Sequence, residues 1–222
     1  MYLYYLFLTD PWLPEDRYLL QYVSPARQKK VLRYRFDKDR KLSLFAALLA
    51  RKMVTDLSGL SEDQLSLHTE SQGKPILRVQ DSSVSIFFNI SHTDGCAVCG
   101  LSLDQELGVD VEQIRPAPYP IMSRCFHPEE MDYVNMGSDG SDERFFEVWT
   151  RKEALLKKNG TGLTEGLTLL NALHPETGFI QSFHISNYII STCTSTPEPV
   201  TLLAVSEKEI RDYYLSNSSE SS

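Results

Sequence analysis

Many of the signatures that assign a function at sight are missing from this 222-residue chain. No stretch approaches about eighteen uncharged apolar residues, which excludes a membrane-spanning helix. There is no GxSxG nucleophile elbow, no Walker A pattern and no dinucleotide-binding glycine fingerprint. The histidines, His68, His92, His127, His174 and His184, are scattered without zinc-ligand spacing. Cysteine is sparse, with Cys96, Cys99, Cys125 and Cys193. Cys96 and Cys99 form a CAVC pair, but no second CxxC exists and the pair lies in a strand-like run. Reduced structural thiols in a cytoplasmic protein fit this better than a redox or zinc site. The apolar start MYLYYLFLTD lacks a basic leader and a small-residue cleavage site, so it reads as a first strand.

What is present describes an ordinary globular chain, 41% hydrophobic and 23% charged, long enough for one large domain or two small ones. The net charge of -8 argues against nonspecific nucleic-acid binding. That average hides an asymmetry. Between Arg27 and Lys52 stand ten of the 22 basic residues and only two acids, Asp37 and Asp39. Such a patch suits a small polyanion or an acidic partner, or is simply a solvated helix face.

The pattern predicts a mixed α+β fold. Residues 2–8 form a strand. Ser24 caps a helix that has Pro25 at its first position. A second helix runs from about Asp39, with Leu42, Phe45, Ala46, Leu49 and Met53 as its core stripe. Asp56 to Asp63 and Ser71 to Pro75 are turn regions, with a short strand at Gln64 to Thr69. Strands follow at Val84 to Ile90 and Cys96 to Leu103, joined by a polar connection that carries Ser91 and His92. Gly108 to Glu112 is a further strand, and the Pro-rich run from Ile114 to Tyr119 breaks regular structure. A helix starts near His127-Pro128, the major helix spans about 142–158, and strands are expected at Leu167 to Leu170, Phe179 to Ile185 and Tyr188 to Cys193. The tail from Ser216 (SNSSESS) reads as disordered.

Two strings carry the chemistry. In GVDVE, Asp110 and Glu112 lie two apart on a strand and share a face, with Val111 turned to the core. Two carboxylates so close repel unless a cation offsets them, and Mg²⁺ suits such a pair together with phosphate oxygens. An exposed acidic strand end is the plainer alternative. In FFEVWTRKEALLKKNGTGL, Phe145 to Leu163, Glu153 and Lys157 lie one helical turn apart. They are either a surface pair or a third acid and a phosphate-binding lysine at the rim of a buried helix. Lys152 and Lys158 are expected to face solvent. Ser91 and His92, at a strand end, are candidates for phosphate contact or general-base work.

These strings together resemble the 4'-phosphopantetheinyl transferases of the longer single-chain kind. The match runs through SPARQKKVLRYRF, GKP at 73–75, NISHTDG at 89–95, GVDVE at 108–112 and the segment 145–163, and covers about residues 1–200. The resemblance implies two similar α/β halves related by a pseudo-twofold, 1–104 and 105–215, with the active site in the cleft between them and a tail at 216–222. It implies transfer of the phosphopantetheine arm of coenzyme A to a serine of an apo acyl or peptidyl carrier protein, with release of adenosine 3',5'-bisphosphate. Arg27, Lys30 and His92 fall where the 3'-phosphate is held, and Lys74, Ser91 and Lys157 where the pyrophosphate is held. Asp110, Glu112 and Glu153 match the acids of an Mg²⁺ site that Mn²⁺ can also fill. Glu153 is the first choice for the group that takes the serine proton, ahead of Glu112 or a metal-bound water. Arg40-Lys41 stands roughly where the family often has a His-Arg pair. Ile114, Tyr119, Ile121, Met122 and Phe126 lie where the family presents its carrier surface, with Phe126 foremost. A cytoplasmic monomer without membrane or nucleic-acid partners is expected. The competing expectations are an inactive carrier-binding protein of the same fold and a different Mg²⁺-dependent phosphate-handling enzyme.

Overall fold

The computed structural model describes residues 1–9, 11–61, 65–69, 75–79, 86–137, 139–160, 162 and 166–216, with the backbone alone at 65–69 and 75–79. The first strand, β1 (Tyr2–Phe7), leads into two helices, α1 (Pro25–Arg33) and α2 (Asp37–Ser58). The Ser24 hydroxyl accepts from the Arg27 amide at 3.3 Å and caps α1 as its sequence predicts. The second helix begins two residues earlier than its pattern implies and runs to Ser58, where Gly59 closes it at a left-handed φ of 70°. β2 (Leu65–Thr69) and β3 (Pro75–Val79) pair antiparallel.

Next come β4 (Phe87–Thr93) and β5 (Cys96–Ser102), joined through Asp94-Gly95 alone. The expected polar connection is therefore shorter than it looked. Ser91 and His92 belong to the strand, opposite Val98 and Ala97. The second half holds β6 (Leu107–Gln113), α3 (Met122–Cys125), α4 (Pro128–Val134), α5 (Ser141–Asn159), β7 (Phe179–Ile185) and β8 (Tyr188–Thr194). Leu167 to Leu169 form a single 3₁₀ turn instead of the expected strand, entered through Gly166 in the left-handed region. Leu169 points outward and pairs with no sheet.

Of the elements that the sequence pattern does not foresee, among them β3 and α3, two return the chain to its first layer. β9 (Thr201–Val205) pairs parallel to β1, and α6 (Glu207–Ser216) packs beside α2. The chain thus returns to the first layer after completing the second, so residues 201–216 lie with the N-terminal sheet. Buried ion pairs hold them there: Arg211 to Asp16 at 2.8 Å and to Glu207 at 2.9 Å, and Lys41 to Glu207. The tail 217–222 lies outside the described residues.

The sheet orders are β4-β5-β1-β9 and β6-β8-β7. Alternation along the strands gives each sheet two duties. Tyr4, Leu6, Ala97, Cys99 and Leu101 meet α2, while Leu3, Cys96 and Val98 meet Val109, Val111 and Ile190 of the second sheet. The other face of β6 turns toward α5. The layers run α2, first sheet, second sheet, α5, with β4 and β6 as neighbouring edges at the junction. Among the described residues, no helix is long and apolar enough to cross a membrane.

Candidate active site

The site forms where α5 lies on β6 and β6 meets β4. Close approach of α5 depends on Gly108. A Cβ built there would stand 1.9 Å from the Ala154 carbonyl oxygen and 2.5 Å from the Lys158 amide nitrogen, both helix backbone. Without a side chain at 108, the helix settles directly on the strand. Lys157 then reaches across the strand. Its ammonium donates to Asp110 Oδ1 at 2.6 Å, to Ser91 Oγ at 2.8 Å and to the Val109 carbonyl at 3.1 Å. Ser91 also donates to Asp110 Oδ1 at 2.7 Å. Lys157 is therefore no surface salt bridge with Glu153. It ties together both strands and the helix.

Asp110 is 5% exposed, and its second oxygen, Oδ2, is a buried polar atom without a hydrogen-bond partner among the described residues. A buried carboxylate oxygen left bare is costly, and sites that bind cations or reacting groups commonly keep one. Glu153, one turn before Lys157, carries a carboxyl raised above its ordinary value. Burial is the main cause, the charges of Asp110 and Glu112 add to it, and Lys157 opposes. Three acids and one lysine thus share a single electrostatic neighbourhood. Among the described residues, however, no three His, Cys, Asp or Glu side chains meet as a metal-ligand cluster.

The β4 edge supplies the other wall. Asn89, Ser91 and Thr93 alternate on one face and each reaches β6. Asn89 Oδ1 accepts from the Val109 amide at 3.2 Å, Ser91 bonds Asp110, and the Thr93 hydroxyl donates to Glu112 Oε2 at 3.1 Å. His92 projects from the opposite face, and its imidazole is held below its ordinary value. Desolvation by the surrounding protein comes first, followed by the positive charges of Lys30, Lys157 and Arg27. Desolvation also lowers Arg27 and Lys30, and Arg27 depresses Lys30 further. Arg27, Lys30 and His92 therefore share one positive neighbourhood, each lowered from its ordinary value, a cost that a bound anion would relieve. The Arg27 guanidinium also donates to Ser43 Oγ at 3.5 Å.

Not every expected residue joins this set. Arg40 donates to the Tyr34 carbonyl at 2.9 Å and pairs with Asp37 at 2.7 Å, serving the corner between α1 and α2. Lys41 is buried against Glu207. Lys74 lies outside the described residues. Lys152 does not face solvent: it is 3% exposed, paired with Glu130 and bonded to the Leu170 carbonyl. Glu130 in turn accepts from the amides of His127 and Ala172, so this buried pair fastens the segment after α5 to α4. Phe126 does not face a partner either. It is wholly buried, 5.0 Å from Phe145 and 6.5 Å from Trp149 between ring centroids. Met122 is buried too, whereas Tyr119 is partly exposed and donates to Asp142 at 2.6 Å. Asn89 and Thr93 escaped the sequence analysis. Their signal was the period-two polar alternation N-x-S-x-T, disguised by treating Ser91 onward as a loop.

Residues 10–102 match the family model described as "4'-phosphopantetheinyl transferase, N-terminal", and residues 106–210 match the "4'-phosphopantetheinyl transferase superfamily". The chain is 32% identical over 161 residues to a 4'-phosphopantetheinyl transferase of Bacillus pumilus, spanning 72% of this chain and 67% of that protein. It belongs to the 4'-phosphopantetheinyl transferase superfamily. The 4'-phosphopantetheinyl transferase Sfp of Bacillus subtilis (strain 168) is 23% identical over 227 residues, covering 95% of this chain and 100% of Sfp. A mouse relative, named L-aminoadipate-semialdehyde dehydrogenase-phosphopantetheinyl transferase, is 26% identical over 171 residues, 71% of this chain and 55% of that protein. The superfamily match to the second half spans β6 and α5 whole, and the N-terminal match includes β4 and the basic α1.

Proposed function

We propose that this transferase moves the 4'-phosphopantetheine arm of coenzyme A to a serine hydroxyl of an apo acyl or peptidyl carrier protein. The observation that carries the proposal is Lys157, whose ammonium is shared by Ser91, the Val109 carbonyl and Asp110 where the two matched segments meet. The serine oxygen attacks the β-phosphorus of coenzyme A and the phosphoanhydride bond breaks. Adenosine 3',5'-bisphosphate leaves, and the serine proton passes to the enzyme. Lys157 and Ser91 hold the pyrophosphate and offset charge on the leaving phosphate. Arg27, Lys30 and His92 meet the 3'-phosphate on the other side of β4, with Lys74 assigned to the pyrophosphate by its place in the sequence. The strand end separates the two anionic groups because Ser91 and His92 point to opposite faces.

Asp110, Glu112 and Glu153 would hold Mg²⁺, or Mn²⁺ in its place. The unpartnered Asp110 Oδ2 and the raised Glu153 carboxyl both fit a cation at this point. Bound there, the cation would neutralise pyrophosphate charge. Glu153 takes the serine proton, and burial, which raises its carboxyl above the ordinary value, makes it a stronger base than an exposed carboxylate. We further place the enzyme in the cytoplasm as a monomer. All four cysteines are free thiols, and burial pushes Cys96 up to about 12 and Cys193 up to about 11.

Incubation with coenzyme A, Mg²⁺ and an apo carrier should add one phosphopantetheine arm to the carrier mass. Phosphate release with an unmodified carrier would instead identify a hydrolase, and binding without turnover an inactive carrier-binding protein. Relative turnover with fatty-acid and peptide-synthase carriers sets the substrate preference.

A further inference from the structure

The three side chains of β4 that reach β6 do different work. Asn89 satisfies a backbone amide, and Ser91 is shared between Asp110 and Lys157. Thr93 touches only the side chain of Glu112 among the hydrogen bonds it makes to β6, donating to Oε2 at 3.1 Å. A second donor falls on the same oxygen. Arg115 Nη1 reaches Glu112 Oε2 at 3.1 Å, also bonds the Gln113 carbonyl at 3.3 Å, and lies over the Phe146 ring at 4.9 Å. Arg115, two residues past the end of β6, is half exposed, while Thr93 reaches the same oxygen from the neighbouring strand β4. Both donors use Oε2, and Oε1 accepts from neither.

We propose that Thr93 is a positioning residue of this transferase: it fixes the Glu112 carboxylate against the pull of Arg115 and presents Oε1 to the cation. The inference rests on the function proposed above. A glutamate at a half-buried strand end has three free torsions, so without a fixed donor it samples outward rotamers that pair with Arg115 alone. Hydrogen-bonding partners of metal-binding carboxylates orient them in the same way. The hydroxyl is the operative group, since the methyl of threonine contributes no hydrogen bond.

The test is Mn²⁺ affinity, read by the electron paramagnetic resonance of free Mn²⁺ with coenzyme A present and no carrier, so that no turnover occurs. Thr93→Val should bind Mn²⁺ about 10-fold more weakly, the scale seen when a partner of a metal ligand is removed. Thr93→Ser keeps the hydroxyl and should restore the affinity. Thr93→Ala removes the hydroxyl without adding bulk and should match Thr93→Val even if the valine disturbs packing. The loss should appear in the Mn²⁺ dependence of transfer, with kcat at saturating Mn²⁺ nearly kept. Wild-type affinity in both Thr93→Val and Thr93→Ala overturns the positioning role. Mn²⁺ uptake that survives Asp110→Asn overturns the cation assignment itself, a separate result.

Discussion

The helices α2 and α5 are both long and both lie on a sheet, yet they divide polar and apolar surface differently. α2 presents Leu44, Phe45, Leu48, Leu49 and Met53, all fully buried, to the first sheet. α5 is divided. Phe145, Phe146 and Val148 in its first half are apolar and buried, whereas in its second half Thr150 bonds Ser191 and Lys157 bonds Asp110. Buried charge occurs in both layers but is handled differently. Around α2, the Asp16, Glu207, Arg211 and Lys41 cluster matches each acid with a cation and fastens β9 and α6 to the first layer. Beneath α5, Asp110 keeps an unpartnered oxygen. Compensated buried charge secures a return of the chain. Incompletely compensated charge coincides with the place proposed above for the cation.

The strongest way to break this comparison is Glu153→Gln. Transfer should fall by roughly 10²–10⁴-fold, the usual contribution of a general base, with thermal unfolding unchanged or slightly higher. The sign for stability follows from the raised carboxyl. Its folded value lies above its unfolded one, so the stabilisation it contributes belongs to the protonated form and is lost as pH rises through the folded value. Removing the charge costs nothing at neutral pH. A variant that transfers at near wild-type rate would remove Glu153 from the chemistry.

Leu48→Ala addresses the other helix. It should cost about 2–5 kcal/mol of stability by leaving a cavity, measured by chemical denaturation, while kcat of the folded enzyme stays constant. A fall in kcat at low temperature, where the variant is folded, would show that the two layers are coupled. Gly108→Ala tests the contact that brings α5 to β6. Overpacking against helix backbone should lower stability by about 1–3 kcal/mol. It should also lower transfer by roughly 100-fold, because shifting Lys157 and Glu153 by about 1 Å misaligns the reacting groups. Stability loss without activity loss would separate helix seating from catalysis.

The smallest effect is in pH dependence. Protonated Glu153 cannot accept a proton, so the rate should fall as pH drops through its raised value. The ascending limb of the kcat profile should lie above the ordinary carboxylate range and disappear in Glu153→Gln. A limb at ordinary carboxylate pH would show that the bound cation has reversed the shift.

Much of this site was legible because it is local. The i and i+2 spacing of Asp110 and Glu112 on β6, and the i and i+4 spacing of Glu153 and Lys157 on α5, are set by strand and helix periods alone. The Ser24-Pro25 cap follows from backbone chemistry in the same way. The failures share another cause. Lys152 looked solvent-facing because a lysine on a helix usually is, and Glu130, 22 residues away, with the Leu170 carbonyl makes its burial tolerable. Phe126 looked available to a partner because nothing near it in sequence announces Phe145 and Trp149 as its cover. β9 and α6 went unseen because their reasons for existing, β1 and α2, stand at the far end of the chain.

The sequence by itself therefore determined the family and the helix and strand that carry the acids, since periodicity and motif spacing are properties of a short stretch of chain. Only the tertiary structure decided that Lys157 bridges Ser91 and Asp110, that Asn89 and Thr93 join the wall, that Asp110 keeps a bare oxygen and that the chain closes back on its first strand. Those outcomes depend on how closely α5 can approach β6 and how two sheet edges align, and such distances are fixed by packing between segments that the sequence keeps apart.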